Sequence, residues 1–176
     1  MEKHLFKQYA LNDWMNEVIG KLGFYEPTAI QAKVIPEALK GKDIIGQSET
    51  GSGKTHAFLI PLLNKLDINQ SETQIVLTTP TRELAIQIYD EVKKIMQFSG
   101  NEDVWRAKLI IGGTDKKRMV EKMKQPPHIV VGTPGRILDL IQEGVLDIYS
   151  ARSFVIDETD LMLELGLIEE IDRILT

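Results

Sequence analysis

Residues 51–55 read Gly-Ser-Gly-Lys-Thr, after a short apolar stretch and before a helical pattern. Glycines let a backbone wrap closely around phosphate oxygens. Amides at a helix start carry about half an elementary charge of positive potential. In that setting Lys54 reaches the β- and γ-phosphates of a triphosphate, and Thr55 offers its hydroxyl to Mg2+. The generic phosphate-loop pattern has Gly where this chain has Ser48. A second constellation, Asp157-Glu158, closes the apolar stretch Ser153–Asp157. An Asp at a strand end holds Mg2+ through water, and a neighbouring carboxylate orients and deprotonates an attacking water. Alone, each segment has a plainer reading, as a glycine-rich loop or as a strand running into an acidic turn. Together they point to one magnesium-bound triphosphate.

Three more segments offer hydroxyls, guanidinium groups or approachable amides: Thr81-Arg82, Gly112-Gly113 and Thr133-Pro134-Gly135-Arg136. Such groups suit the phosphates and riboses of a single strand. They include few base-reading side chains, so the binding expected is independent of sequence. The plainer alternatives are Thr133 as a helix N-cap and Gly112-Gly113 as a turn. Lys116-Lys117-Arg118, with Lys122 and Lys124, reads as a solvated helix face rather than an RNA track.

The elements that must position these residues follow a rhythm of short strand, small turn and helix. Candidate strands are Asp43–Gly46, Gln74–Thr79, Ala107–Ile111, His128–Val131 and Ser153–Asp157. They are rich in Ile and Val, as expected for parallel strands covered on both faces. Between them, Leu84, Ile88, Val92 and Ile95 form one apolar stripe on a helix over Glu83–Phe98. Thr114–Lys124 and Pro134–Gln142 also read as helices, with Pro134 suited to a first helical position. Leu11–Leu22 is a further helix, capped by Asn12 or Asp13. This alternation implies an α/β doubly wound fold with a mostly parallel sheet and helices on both faces. Ligands in such folds sit at the carboxyl ends of the strands. All five chemistry-bearing segments follow strands, so all fall on that one edge.

Composition narrows the field. A chain of 176 residues suits one domain. The net charge is −5, so nucleic-acid contact must be local rather than a bulk-charge effect. With no cysteine, disulfides, zinc–thiolate sites, iron–sulfur clusters and thiol nucleophiles are excluded. His4, His56 and His128 are scattered, against a histidine metal cluster. Met1–Ala10 mixes charge signs without an apolar core, and the apolar run Ala57–Leu63 is short and interrupted by Pro61. Neither a targeting segment nor a membrane span is expected, and the expected location is cytoplasmic.

In this order the segments resemble a known family. The chain is similar to the first RecA-like domain of a DEAD-box RNA helicase, of a bacterial kind. Phe24-Tyr25-Glu26-Pro27-Thr28-Ala29-Ile30-Gln31 resembles the Q motif, with Phe6 as its upstream aromatic, so that this segment spans residues 6–31. Thr50–Thr55 resembles motif I, where the family has Ala at the place of Ser48. Pro80–Ala85 resembles motif Ia, Gly112-Gly113 the GG motif, Thr133–Arg136 motif Ib, and Asp157–Asp160 motif II.

The resemblance implies a RecA-like P-loop fold over residues 1–176, with ATP and Mg2+ as cofactors and RNA as partner. Gln31 would read the adenine edge, Phe6 would stack on its face, and Tyr25 would line the same pocket. Without the resemblance, Gln31 reads as a surface residue of a helix beginning near Thr28, and Phe6 as core. Thr50, Gly51, Ser52, Gly53, Lys54 and Thr55 would hold the triphosphate, with Thr55 and Asp157 on Mg2+ and Glu158 as the base. Pro80, Thr81, Arg82, Gly113, Thr133 and Arg136 would hold the RNA backbone, and Asp160 would couple the nucleotide to the domain interface. Two departures stand out. The family's Asp-Glu-Ala-Asp is here Asp-Glu-Thr-Asp, and the chain lacks the Ser-Ala-Thr motif and the second RecA-like domain. That domain supplies the arginine fingers, so the chain alone is expected to be nearly inactive and to act as one domain of a longer protein. Ribosomal or RNA-decay assemblies are among the settings the resemblance allows, and the choice among ribosome assembly, RNA decay and cold adaptation stays open. A P-loop ATPase of another class and an ATP-gated RNA-binding module share parts of the pattern.

Overall fold

A computed structural model describes residues 6–42, 44, 53–113 and 116–176. The chain divides into two compact units, residues 1–66 with 95–101, and residues 67–94 with 102–176.

The first unit holds a 3-10 turn (Phe6–Gln8), α1 (Asp13–Lys21), α2 (Ala29–Leu39) and α3 (Lys54–Asn64). Met15, Val18 and Ile19 give α1 a buried stripe at three- and four-residue spacing. Asn12 occupies the N-cap position, but its side chain makes no capping bond. It is drawn instead to the end of α3. The Asn12 N–H donates to Asn64 Oδ1 at 2.8 Å, and Asn12 Nδ2 donates to the Asn64 carbonyl at 2.8 Å. Lys65 Nζ donates to the Ala38 carbonyl at 2.7 Å, tying the end of α3 to that of α2. The expected strand Asp43–Gly46 lies outside the described residues, Ile44 apart.

The second unit is a four-stranded sheet: β1 (Ile75–Thr78), β2 (Ala107–Ile110), β3 (Ile129–Gly132) and β4 (Ser153–Ile156). The order is β2-β3-β1-β4, and every pairing is parallel. Central β1 and β3 are buried throughout, while β4 is half-buried. Its helices are α4 (Arg82–Ser99, whose residues from Ile95 belong to the first unit), α5 (Lys116–Lys122), α6 (Pro134–Gln142), α7 (Thr159–Glu164) and α8 (Ile168–Leu175). On one face, Val76, Ile110 and Val130 pack with Met119 and Met123, with Ile137 and Leu140 of α6, and with Ile174 of α8. Burying each such side chain contributes about 1.5–3 kcal/mol against the chain entropy lost. The connection from β1 to β2 runs through α4 and passes β3 in the sheet order. β1 is two residues shorter than expected, β2 and β4 are one shorter, β3 keeps its length but sits one residue further on, and α7 and α8 were not anticipated. Lys117 and Arg118 are exposed on α5, as a solvated face requires. Among the described residues no helix is long and apolar enough to cross a membrane.

Register does the positioning. Thr78 pairs with Gly132 and with Ile156, and Ile110 pairs with Gly132. The four strands therefore end in one row, and the residues that follow each of them leave from the same edge.

Candidate nucleotide and nucleic-acid sites

In the first unit, α2 opens with a capping box. Thr28 Oγ1 accepts from the Gln31 N–H at 3.4 Å, and the Thr28 N–H donates to Gln31 Oε1 at 2.9 Å. Gln31 Nε2 then donates to the Gly53 carbonyl at 3.2 Å. Gln31 is therefore 3% exposed rather than a surface residue, because its amide is needed at two backbone sites. Gly53 sits at φ +87°, and a Cβ there would lie 2.6 Å from Gln31 Nε2 and 2.8 Å from Thr28 Oγ1. Both the backbone angle and the space demand glycine. Lys54 and Thr55 are the first residues of α3, where helix amides have no acceptor within the helix. Phe6 is buried, its ring stacked on Phe24 at 6.3 Å and edge-on to Tyr9 at 6.2 Å. Its core reading holds. Tyr25 is 68% exposed. Thr50, Gly51 and Ser52, like Ser48, lie outside the described residues.

In the second unit, the Asp157 N–H donates to the Thr78 carbonyl at 2.8 Å, extending the ladder one residue past β4. Asp157 is 8% exposed. Glu158 has φ 55° and ψ 52°, the sole non-glycine with positive φ among the described residues. A non-glycine residue held there stores about 1–3 kcal/mol. Thr159 turns its hydroxyl back to the Ile156 carbonyl at 3.4 Å, so the β-branched side chain is accommodated at the strand end. Asp160 is exposed in the first turn of α7.

The segments after the other strands are equally ordered. Thr81 caps α4, its Oγ1 accepting from the Leu84 N–H at 3.2 Å, which leaves the O–H free to donate. Pro80, just before it, is buried. Gly113, at φ +80°, has the Arg82 guanidinium directly over it: a Cβ would lie 3.0 Å from Nη1. The structure thus brings together two segments separated by some thirty residues of chain. Thr133 stands at the N-cap of α6 without a side-chain capping bond, so its hydroxyl is not spent on the helix. Its N–H donates to the Ile110 carbonyl at 3.2 Å. Arg136 Nη1 lies 3.9 Å from Asp139 Oδ2, while its Nε is buried with no hydrogen-bond partner. Thr79 Oγ1, between Thr78 and Pro80, is in the same state.

Some contributors escaped the sequence reading. The Thr-x-x-Gln spacing of the capping box was legible at Thr28 and Gln31. Gly132 was not singled out, yet a Cβ there would meet the Ile110 carbonyl oxygen. It permits β2 and β3 to close up just before Thr133. The left-handed backbone of Glu158 had no signal at all, since nothing in the residue type announces it.

The DEAD/DEAH box helicase family model matches residues 28–176. The chain belongs to this family. It is 51% identical over 174 residues to the DEAD-box ATP-dependent RNA helicase CshB of Bacillus subtilis, covering 99% of this chain and 40% of that protein. The CshB of Bacillus cereus is 48% identical over 174 residues, with the same shares covered. The fold matches the crystal structure of a DEAD box protein from the hyperthermophile Methanococcus jannaschii, with a TM-score of 0.90 and 40% identity over 99% of this chain and 47% of that one. The family chain described here is therefore RecA-like and α/β, and spans less than half the length of the relatives it matches.

Proposed function

We propose that the chain is the N-terminal RecA-like domain of an ATP-dependent RNA helicase, which hydrolyses ATP with Mg2+ and opens short RNA duplexes together with a second RecA-like domain. The observation that carries this reading is Glu158, held in a left-handed conformation beside the buried Asp157. Strain of that kind persists where surrounding structure fixes a side chain for chemistry.

The first unit suits an adenine nucleotide. After bonding Thr28 and Gly53, the Gln31 amide keeps one N–H and one oxygen lone pair. That donor–acceptor pair matches the N7 acceptor and N6 donor of adenine. Lys54 and the opening amides of α3 take phosphate, and the tight approach of Gly53 leaves backbone rather than side chain facing it. In the first unit the Thr55 hydroxyl, and in the second the Asp157 carboxylate, are each of a type that would hold Mg2+. Among the described residues no group of three His, Cys, Asp or Glu could hold a metal. Mg2+ is held through one or two protein oxygens plus phosphate and water. Mg2+, when bound, neutralises charge on the phosphates. Glu158 orients and deprotonates the attacking water.

Along the sheet edge, Thr81, Arg82, Gly113, Thr133 and Arg136, with Pro80 shaping the turn, form the track for an RNA backbone. Arg136 Nε, buried without a partner, is a donor suited to a phosphate oxygen. Asp160, exposed beside Glu158, is the group available to a partner domain. The test is Glu158→Gln in the full-length protein. RNA-stimulated ATP turnover should fall by about 10²–10⁴-fold, the span of a lost general base, while ATP binding holds. Undiminished turnover would remove the reading.

A further inference from the structure

We propose that His56 is a positioning residue for the base of the bound nucleotide, acting through Phe24 and Phe6. The proposal rests on the ATP reading above and extends it to a residue outside the Gly-Lys-Thr signature.

His56 follows Lys54 and Thr55 in the first turn of α3, so its backbone moves with the phosphate-binding residues. Its ring meets Phe24 edge to face, with centroids 4.9 Å apart and planes at 84°. Phe24 stacks on Phe6 at 6.3 Å and 22°, and Phe6 meets Tyr9 edge-on. A row of four rings therefore runs from the N-terminal 3-10 turn to the helix that opens at Lys54. Offset-stacked and edge-to-face pairs are the favoured geometries for such rings, and each resists sliding.

This row is the second tie between α3 and the Phe6–Gln31 segment, which the family resemblance sets at the base. The first is polar, Gln31 Nε2 to the Gly53 carbonyl at 3.2 Å. The two arrive at opposite ends of the Gly53–His56 segment. Phosphate binding that orders this turn also orders His56, and through Phe24 it orders Phe6. Removing the imidazole leaves Lys54, Thr55 and the Gly53 carbonyl in place, so triphosphate contacts persist. The Phe24–Phe6 pair loses its anchor on α3, and the base alone is held less well.

The experiment is calorimetric titration of the full-length protein and its His56→Ala and His56→Phe variants with MgATP and, separately, with magnesium tripolyphosphate. Losing one aromatic pair should weaken MgATP by about 2- to 12-fold in His56→Ala while tripolyphosphate stays within about 2-fold, and His56→Phe should bind MgATP as the parent does. An equal loss on both ligands would make His56 a scaffold for the phosphate loop and overturn the proposal. So would unchanged MgATP binding in His56→Ala, or a His56→Phe as weak as the alanine variant. If the parent protein binds no MgATP, the ATP reading itself fails, an outcome visible before any substitution is made.

Discussion

At the N-terminal edge of the second unit's sheet, Gln74 Nε2 donates to the carbonyls of Asp67 at 2.6 Å and Gln70 at 3.2 Å, and its Oε1 accepts from the Asp67 N–H at 2.9 Å. Thr73 Oγ1 donates to the Pro127 carbonyl at 2.8 Å. Arg106 spans the same edge, with Nε on the Pro126 carbonyl and Nη2 on Ser71. At the C-terminal edge the same residue types behave differently. Thr79 Oγ1 and Arg136 Nε are buried without partners, Thr133 spends no hydroxyl on its helix, and Glu158 is held in strain. The N-terminal edge closes most of these side chains on backbone groups, His128 Nε2 excepted. The C-terminal edge leaves Thr79 Oγ1 and Arg136 Nε buried without a hydrogen bond. Ligands of such sheets sit at the carboxyl ends of the strands, and the contrast falls on the edge that carries the proposed site.

The contrast breaks most readily at Gln74. Gln74→Ala removes three hydrogen bonds from a buried residue. At about 0.5–1.5 kcal/mol each, the urea unfolding free energy should drop by about 1.5–4.5 kcal/mol. ATP turnover per folded molecule should not change. A turnover loss out of proportion to the unfolded fraction would mean that the N-terminal edge also serves the site.

Arg82→Ala sharpens the other side. Arg82 is exposed at the start of α4, where a positive charge is poorly placed in the helix field. Stability should stay within about 0.5 kcal/mol. RNA affinity should weaken, and the slope of log affinity against log salt should shrink by about 1, as for one lost phosphate contact. An unaltered salt slope would place Arg82 off the RNA path, despite its seat over Gly113.

Much of this arrangement could be read from residues alone. The Ile- and Val-rich strands, the stripe at Leu84, Ile88 and Val92 and the glycine–lysine loop each express a local period or a local steric need. The four strands β1 to β4 and the helix over Pro134–Gln142 accordingly match their expected places. Asn12 did not cap its helix because its partner, Asn64, is 52 residues away, and no local rule reports a long-range clasp. Gln31 looked solvent-facing because the pull on its amide comes from the Gly53 carbonyl, 22 residues on. Gly132 and the left-handed backbone of Glu158 were not legible for a related reason. Their constraints are set by the approach of a neighbouring strand and by a backbone angle, and neither leaves a mark on hydrophobic pattern.

The smallest expected effect belongs to His128 and probes how well the N-terminal edge is sealed. Its Nδ1 accepts from the Arg106 N–H at 3.0 Å, which fixes the neutral ring with its proton on Nε2, and that atom is buried without a partner. Burial, and secondarily the nearby Arg106 guanidinium, hold the imidazole below its ordinary value of 6.5. The folded chain then binds fewer protons at this site than the unfolded chain, so stability is intact above 6.5 and is lost as pH falls from there toward the lowered folded value. One such group changes stability by at most about 1.4 kcal/mol per pH unit. His128→Asn keeps an acceptor for the Arg106 N–H and removes the titration. Between about pH 7.5 and about pH 5.5, either side of the ordinary histidine range, the parent's melting midpoint should fall further than the variant's. Carboxylates titrate in both proteins and cancel in the difference. Parallel melting curves would mean that a proton enters the ring in the folded state as easily as in water. The N-terminal edge would then be as open as the edge that carries Arg136, and the contrast between them would rest on Glu158 alone.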